Sequence, residues 1–297
     1  MTVMTNNGSI DGVDVAGLLG IPISAEQERA VRAPLDPCVV IAGAGTGKTT
    51  VMAARVVWLV ASGLVSPEEI LGLTFTNKAT MELSERIESN LTRVGLLKPD
   101  QPRPTVATYD SFAGTLVGDY GAWDGINTGA HLMTGARAYQ LASEVVVGLD
   151  KAPLAATHLG PTSIAQAVVK LAAAMASHDA SPDEVRKADA RWRQMLLDAP
   201  TKKGGGRYAD IDTWLSRVDE REEFLELVAA YQELKKERGL VEFGDRMVQA
   251  LHLVTHHPRV GEELRARYRV VLLDEYQDTS SAQADVLAAL FSGPDSS

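Results

Sequence analysis

One cysteine, Cys38, stands in 297 residues. That scarcity excludes a disulfide framework and a cysteine-rich zinc centre, and it suits a reducing, cytoplasmic setting. Long hydrophobic runs are missing as well. The most apolar stretch, residues 51–65, carries Arg55 and is too short to span a bilayer, and no basic segment followed by an apolar one opens the chain. The expectation is a protein neither secreted nor membrane-embedded. Positive charge is in deficit: 29 Lys and Arg against 39 Asp and Glu leave a net charge of -10. A surface coated for nucleic acid is excluded, so any DNA contact has to be local. His252, His256 and His257 lack the glutamate of an H-E-x-x-H zinc motif, and no G-x-S-x-G nucleophile elbow occurs. What remains is ordinary and ample. A content of 45% hydrophobic and 23% charged residues is that of a globular chain long enough for two domains with their own cores.

The chemistry concentrates at residues 38–50. Cys38-Val39-Val40-Ile41 reads as a buried strand. Ala42, Gly43, Ala44, Gly45, Thr46 and Gly47 are small residues whose backbone N–H groups turn inward around an anion before a helix starts near Lys48. The phosphate-loop pattern G-x-x-x-x-G-K-[ST] is met at Gly47, Lys48 and Thr49, with Ala42 in place of the first glycine. Lys48 would neutralise the β- and γ-phosphates of a nucleotide, and the Thr49 hydroxyl would hold Mg²⁺. The competing reading is a plain glycine-rich strand-to-helix turn, against which a second motif weighs. Val270-Val271-Leu272-Leu273 runs into Asp274-Glu275, the form of a Walker B strand. There Asp274 would coordinate Mg²⁺ and Glu275 would orient and deprotonate the attacking water. The blander alternative is two acids favouring a helix N-terminus.

Residues 1–20 are rich in Asn, Gly and Asp and read as a loose lead-in. A helix follows with Ser24 as N-cap and Gln27 three residues on. Gln27 then has two open roles: closing that capping box, or offering its amide to the adenine edge of ATP. Residues 51–62 are apolar on nearly all sides, as in a helix buried between layers. Residues 70–75 read as a buried parallel strand, delivering Thr76, Asn77 and Lys78 at its C-terminal end, where open α/β sheets bind ligands. A helix with Leu83, Ile87 and Leu91 on one stripe comes next. Thr105-Val106-Ala107-Thr108 is a further short strand, followed by Tyr109, Asp110, Ser111 and Phe112. From residue 113 to 238 helical patterns take over, including Phe224, Leu227, Val228, Tyr231 and Leu234. A later amphipathic helix places Phe243, Met247, Leu251 and Val254 on one face. Residues 186–207 gather seven cations against two anions around Trp192, ending in the glycine run Gly204-Gly205-Gly206. A solvated basic face and a DNA-facing one both fit this stretch.

In this order the motifs resemble the N-terminal half of superfamily 1 DNA helicases of the UvrD/Rep type. Ser24 to Gln27 is similar to the Q-motif, Ala42 to Thr49 to motif I, and Thr74 to Ala79 to motif Ia. Thr108-Tyr109-Asp110 resembles the next motif, with Asp110 in place of a frequent histidine, and Asp274 to Thr279 resembles motif II. The resemblance implies an α/β fold: a RecA-like P-loop NTPase parallel sheet, interrupted by an inserted helical subdomain. It divides the chain into a lead-in at 1–20, domain 1A at 21–112, helical 1B at 113–238, and the rest of 1A at 239–297. It implies ATP and Mg²⁺ as cofactors and adenine contact by Gln27. Thr50 stands where many relatives carry an arginine against the base. It also implies a single-strand DNA track lined by Phe75, Thr76, Asn77, Thr108 and Tyr109, near a single-strand/duplex junction, with Gln277 and Asp278 coupling DNA to the nucleotide. No Gly-Asp-x-x-Gln motif, second RecA-like domain or arginine finger follows motif II. The expectation is therefore the ATP- and DNA-binding half of a 3′-to-5′ helicase, truncated before a C-terminal half or partner subunit and with little turnover alone. The motor of a helicase-nuclease repair complex is one alternative, and a non-motor ATP- and DNA-binding subunit is another. A GTPase would need Asn-Lys-x-Asp and an ABC ATPase Leu-Ser-Gly-Gly, and neither occurs.

Overall fold

The computed structural model describes residues 14–20, 22–43, 45–149, 158–202 and 205–292. Ala44, Lys203, Gly204 and most of the expected lead-in lie outside the described residues. The chain forms two compact units, Met1–Phe112 with Pro258–Thr279, and Ala113–His257 with Ser280–Ser297.

The first unit opens on a helix where a loose lead-in was expected. Asp14 accepts a hydrogen bond from the Gly17 amide at 3.0 Å and caps α1 (Val15–Leu19), and Val15 is buried. Gly20 closes its C-terminal end, Leu18 packs beside Val15, and Arg93 donates to the Leu18 carbonyl at 3.0 Å. α2 (Ala25–Val31) begins at the Ser24 capping box, with both reciprocal bonds made. α3 (Lys48–Ala61) buries Ala53, Ala54, Val56, Val57, Trp58 and Leu59, which matches a sequence apolar all round. Its Arg55 turns back and donates to the carbonyls of Val31, Ala33 and Pro34 at 3.0, 2.7 and 2.9 Å, closing the C-terminal end of α2.

β1 (Ile70–Thr74) is buried at every position. It feeds α4 (Asn77–Arg93), whose inner stripe is Leu83, Ile87 and Leu91. β2 (Thr105–Thr108) follows, and then α5 (Tyr109–Tyr120), whose first turn belongs to this unit.

In the second unit, β3 (His131–Leu132) precedes α6 (Gly135–Val147), α7 (Pro161–Ser177), α8 (Pro182–Leu197) and α9 (Ala209–Glu237). α6, α7 and α9 share one apolar core around Leu141, Val168, Phe224, Val228 and Tyr231. β4 (Leu240–Val241) then pairs in parallel with β3. α10 (Phe243–His256) packs on α7.

The chain returns to the first unit at α11 (Pro258–Arg267) and β5 (Val270–Leu273), and α12 (Ser281–Phe291) packs on α10 in the second. The expected return at residue 239 thus falls at Pro258. Val241 is held by its ladder with β3, and α10 buries Met247, Ala250, Leu253 and Val254 among helices of the second unit. The apolar face of α10 also differs from expectation, because Phe243 is 51% exposed.

The sheet of the first unit is parallel with order β2-β1-β5. Leu71 stands beside Thr105 on one side and Val271 on the other. β1, flanked on both edges, has the continuous apolar sequence of a doubly covered strand. Residues 38–41 correct the expectation of a buried strand. They have no regular structure, and Val39 and Ile41 are 85% and 95% exposed. An apolar run becomes a buried strand only beside a ladder partner, and among the described residues none pairs with this one.

Candidate functional site

Two segments 227 positions apart meet at the C-terminal edge of the sheet. Lys48 Nζ donates to Glu275 Oε2 at 3.0 Å, and both side chains are about a third exposed. The loop before Lys48 is shaped by backbone chemistry. Gly45 and Gly47 adopt φ of +75° and +83°, a region closed to most side chains, and Gly47 serves as N-cap of α3. Thr46 Oγ1 donates to the Gly43 carbonyl at 2.8 Å, bracing the turn. The first amides of α3 have no partner within the helix and carry the positive end of its dipole, which suits an anion.

Gln27 performs the capping role and touches the loop as well. Its Oε1 accepts from the Ser24 amide at 2.8 Å, and its Nε2 donates to the Thr46 carbonyl at 3.1 Å. Thr49 and Thr50 lie half-buried in the first turn of α3. Thr50 Oγ1 accepts from Arg86 Nη1 of α4 at 2.6 Å. Arg86 was not singled out from the sequence, because it lies on the exposed side of an amphipathic helix, outside every motif. The replacement of an expected arginine by Thr50 was the only available signal.

On the facing strand, the Asp274 amide donates to the Leu73 carbonyl at 2.9 Å, continuing the β1–β5 ladder. Burial, and next the adjacent Glu275 charge, push the Asp274 carboxyl above its ordinary value. Hydrogen bonds from Gln277 and Lys48 hold Glu275 below its own. Glu275 sits at φ 49°, ψ 41°, a left-handed conformation that costs a non-glycine residue about 1 kcal/mol or more. Of the paired acids, one is desolvated and the other is stabilised as a carboxylate by the Gln277 amide and then by Lys48. Thr49 and Asp274 supply the hard oxygen donors that suit Mg²⁺, and Lys48 and the loop amides suit phosphate. Gln277 and Asp278 follow, exposed, on a single turn of 3-10 helix, Tyr276–Asp278.

The residues expected to meet DNA split by exposure. Thr76 and Asn77 are exposed and Phe75 is half-buried. Thr76 also caps α4, accepting from the Ala79 amide at 3.1 Å. Thr108 and Tyr109 are 7% and 4% exposed. Thr108 Oγ1 accepts from the Ser111 amide at 3.0 Å, so its side chain holds the start of α5. The Tyr109 ring lies 5.0 Å from the Phe75 ring, and burial pushes its phenol up. Tyr109 therefore backs Phe75 here instead of presenting a stacking face of its own.

In the basic stretch at 186–207, three of the seven cations form ion pairs among the described residues. Arg186 meets Glu222 and Asp183, Arg193 meets Asp219, and Arg207 meets Asp212. Those acids lie mostly on α9, which neutralises this face of α8. Trp192 and Trp214 remain half exposed, with ring centroids 6.0 Å apart.

The family described as the UvrD/REP helicase N-terminal domain matches residues 23–296. DNA helicase II of Rickettsia typhi is 26% identical over 275 residues, 91% of this chain and 36% of the relative. DNA helicase II of Haemophilus influenzae is 28% identical over 272 residues, covering 91% and 32%. The ATP-dependent DNA helicase UvrD1 of Mycobacterium tuberculosis is 27% identical over 284 residues, covering 95% and 32%. The chain spans about a third of the length of the curated relatives it matches.

Proposed function

Because this chain belongs to the UvrD/Rep helicase family, we propose that it is the ATP- and single-strand-DNA-binding half of a 3′-to-5′ DNA helicase. The first unit would be the RecA-like domain 1A and the helical unit the inserted 1B. The observation that carries this reading is the Lys48–Glu275 contact at 3.0 Å, which places the phosphate loop against the paired acids. Bound Mg²⁺ would offset phosphate charge. Thr49 and Asp274 would hold it, while the amides at 43–47 and Lys48 would bind the β- and γ-phosphates. Nucleotide binding requires Lys48 to leave Glu275, and the freed carboxylate is then available to take a proton from water. Gln27 would exchange at least one of its two bonds for the adenine edge. Arg86 brings a guanidinium beside Thr50, and so supplies from α4 the cation that Thr50 lacks. Gln277 reports the state of Glu275 to the exposed turn at 276–278.

Single-strand DNA would run over Phe75, Thr76 and Asn77, with Tyr109 and Thr108 as the support beneath. Fluorescence anisotropy of a labelled oligothymidylate tests this. Phe75→Ala should weaken binding by about 1–3 kcal/mol through lost stacking, and Tyr109→Ala by less. Equal affinity for wild type and a Phe75→Ala, Asn77→Ala double variant would remove the DNA track from this surface.

A further inference from the structure

Within the second unit, three histidines and one aspartate converge. Asp124 ends a 3-10 helix, Gly121–Asp124, and is followed by Gly125 in the left-handed conformation. His252 and His256 lie one turn apart on α10, so their rings share a face. The ring centroids are 3.9 Å apart and inclined by 32°. His252 Nδ1 meets Asp124 Oδ2 at 2.6 Å, and His257 Nε2 meets Asp124 Oδ1 at 3.2 Å. Asp124, His252 and His256 each offer one ligand atom, all within 4.8 Å of one another.

We propose that Asp124, His252 and His256 form a binding site for a divalent transition-metal ion of the zinc class, with His257 as the positioning residue for Asp124. Two imidazoles and one carboxylate are a borderline donor set. Such a set selects zinc and its first-row neighbours over Mg²⁺ and Ca²⁺, which take oxygen. Two bonds already made orient the donors. His256 Nδ1 lies 2.8 Å from the His252 carbonyl. A carbonyl only accepts, so Nδ1 carries the proton and Nε2 keeps its lone pair for a metal. The second bond, from His257, fixes one carboxylate oxygen and leaves the other turned to His252. Ligand atoms about 2.0–2.1 Å from a tetrahedral ion stand roughly 3.3 Å apart. The ion would take the place of the proton that His252 Nδ1 and Asp124 Oδ2 share at 2.6 Å, that proton leaving to water as this pair opens to the ligand spacing and the farthest pair closes. The two imidazoles are exposed and the Asp124 carboxylate is half-buried. Water would complete the fourth position. The bound ion would tie the 3-10 turn to the last turn of α10, joining segments more than 120 positions apart in the chain. The role is a clamp, separate from the Mg²⁺ ligands of the nucleotide loop.

Equilibrium dialysis of the whole chain against Zn²⁺ in excess Mg²⁺, with metal content read by mass spectrometry, tests the site. Wild type should retain one zinc per chain, and zinc should raise its melting temperature. His256→Ala and Asp124→Asn should each weaken binding at least tenfold. His257→Ala should lower affinity about tenfold with the stoichiometry kept. Co²⁺ in place of zinc should give a visible absorption band in wild type that is missing in His256→Gln, an exposed and conservative change. Cys38→Ser and Asp274→Asn should retain the zinc. Equal zinc retention by wild type and an Asp124→Asn, His256→Ala double variant would overturn the proposal, as would loss of zinc in Cys38→Ser. Absence of any zinc bound to wild type would leave the cluster a hydrogen-bonded clamp alone and would also overturn it.

Discussion

Glu275 joins three constraints at one position: a left-handed backbone, an ion pair to Lys48, and a bond from Gln277. The ion pair has to break before Lys48 can reach a phosphate. Glu275→Gln weakens that competitor while leaving Lys48 in place, so Mg·ATP should bind as tightly as in wild type or a few-fold tighter. A nucleotide-binding titration reads this, and a large loss of affinity would mean that Glu275 itself holds the ligand. Lys235 is the opposite case, a cation 2% exposed. Its Nζ donates to Glu242 at 2.8 Å and to both oxygens of Asp245 at 2.9 and 2.6 Å. Lys235→Met leaves two shielded acids unpaired and should cost about 3–5 kcal/mol in urea unfolding. Adding Asp245→Asn, which keeps an oxygen for the α10 cap, should recover part of that loss.

At the scale of elements, β1 and residues 38–41 have similar apolar sequences and opposite fates. Hydrogen exchange should separate them: amides of Leu71 and Leu73 protected, those of Val39, Val40 and Ile41 exchanging fast. Protection at 38–41 would mean that the run is paired in solution. The helices were legible because periodicity and caps are local: the Ser24–Gln27 box, the stripe of α4, and the apolar circumference of α3 all stand where the sequence places them. Long-range choices were not. Whether an apolar run finds a ladder partner depends on chain elsewhere, which is why 38–41 reads as a strand and is not one. For the same reason α10, amphipathic from sequence, buries Met247 and Val254 of the expected face together with Ala250 and Leu253, while Phe243 stays exposed. Within the site, motif spacing singled out Lys48, Thr49, Asp274 and Glu275. Arg86 and the Lys48–Glu275 contact need the folded chain, since no spacing rule links residues on separate elements.

Across the whole chain, the net charge of -10 agrees with the proposed DNA contact being confined to a small surface rather than spread over the exterior. Among the described residues no helix is long and apolar enough to cross a membrane. The chain spans about a third of the length of its curated relatives, and among the described residues the cation that meets the acid Glu275 is Lys48 alone. Steady-state ATP hydrolysis by these 297 residues should therefore be negligible with or without single-stranded DNA. Strong DNA-stimulated turnover would place the missing cations within this chain or a second copy of it.

The loop at 43–49 and the acids at 274–275 are proposed to form one nucleotide site through Lys48. Calorimetric titration of the chain with Mg·ATP, beside Lys48→Ala, tests it most directly. Wild type should bind one nucleotide per chain and the variant at least tenfold more weakly, with both equally folded by circular dichroism. Equal affinity in the two would contradict it.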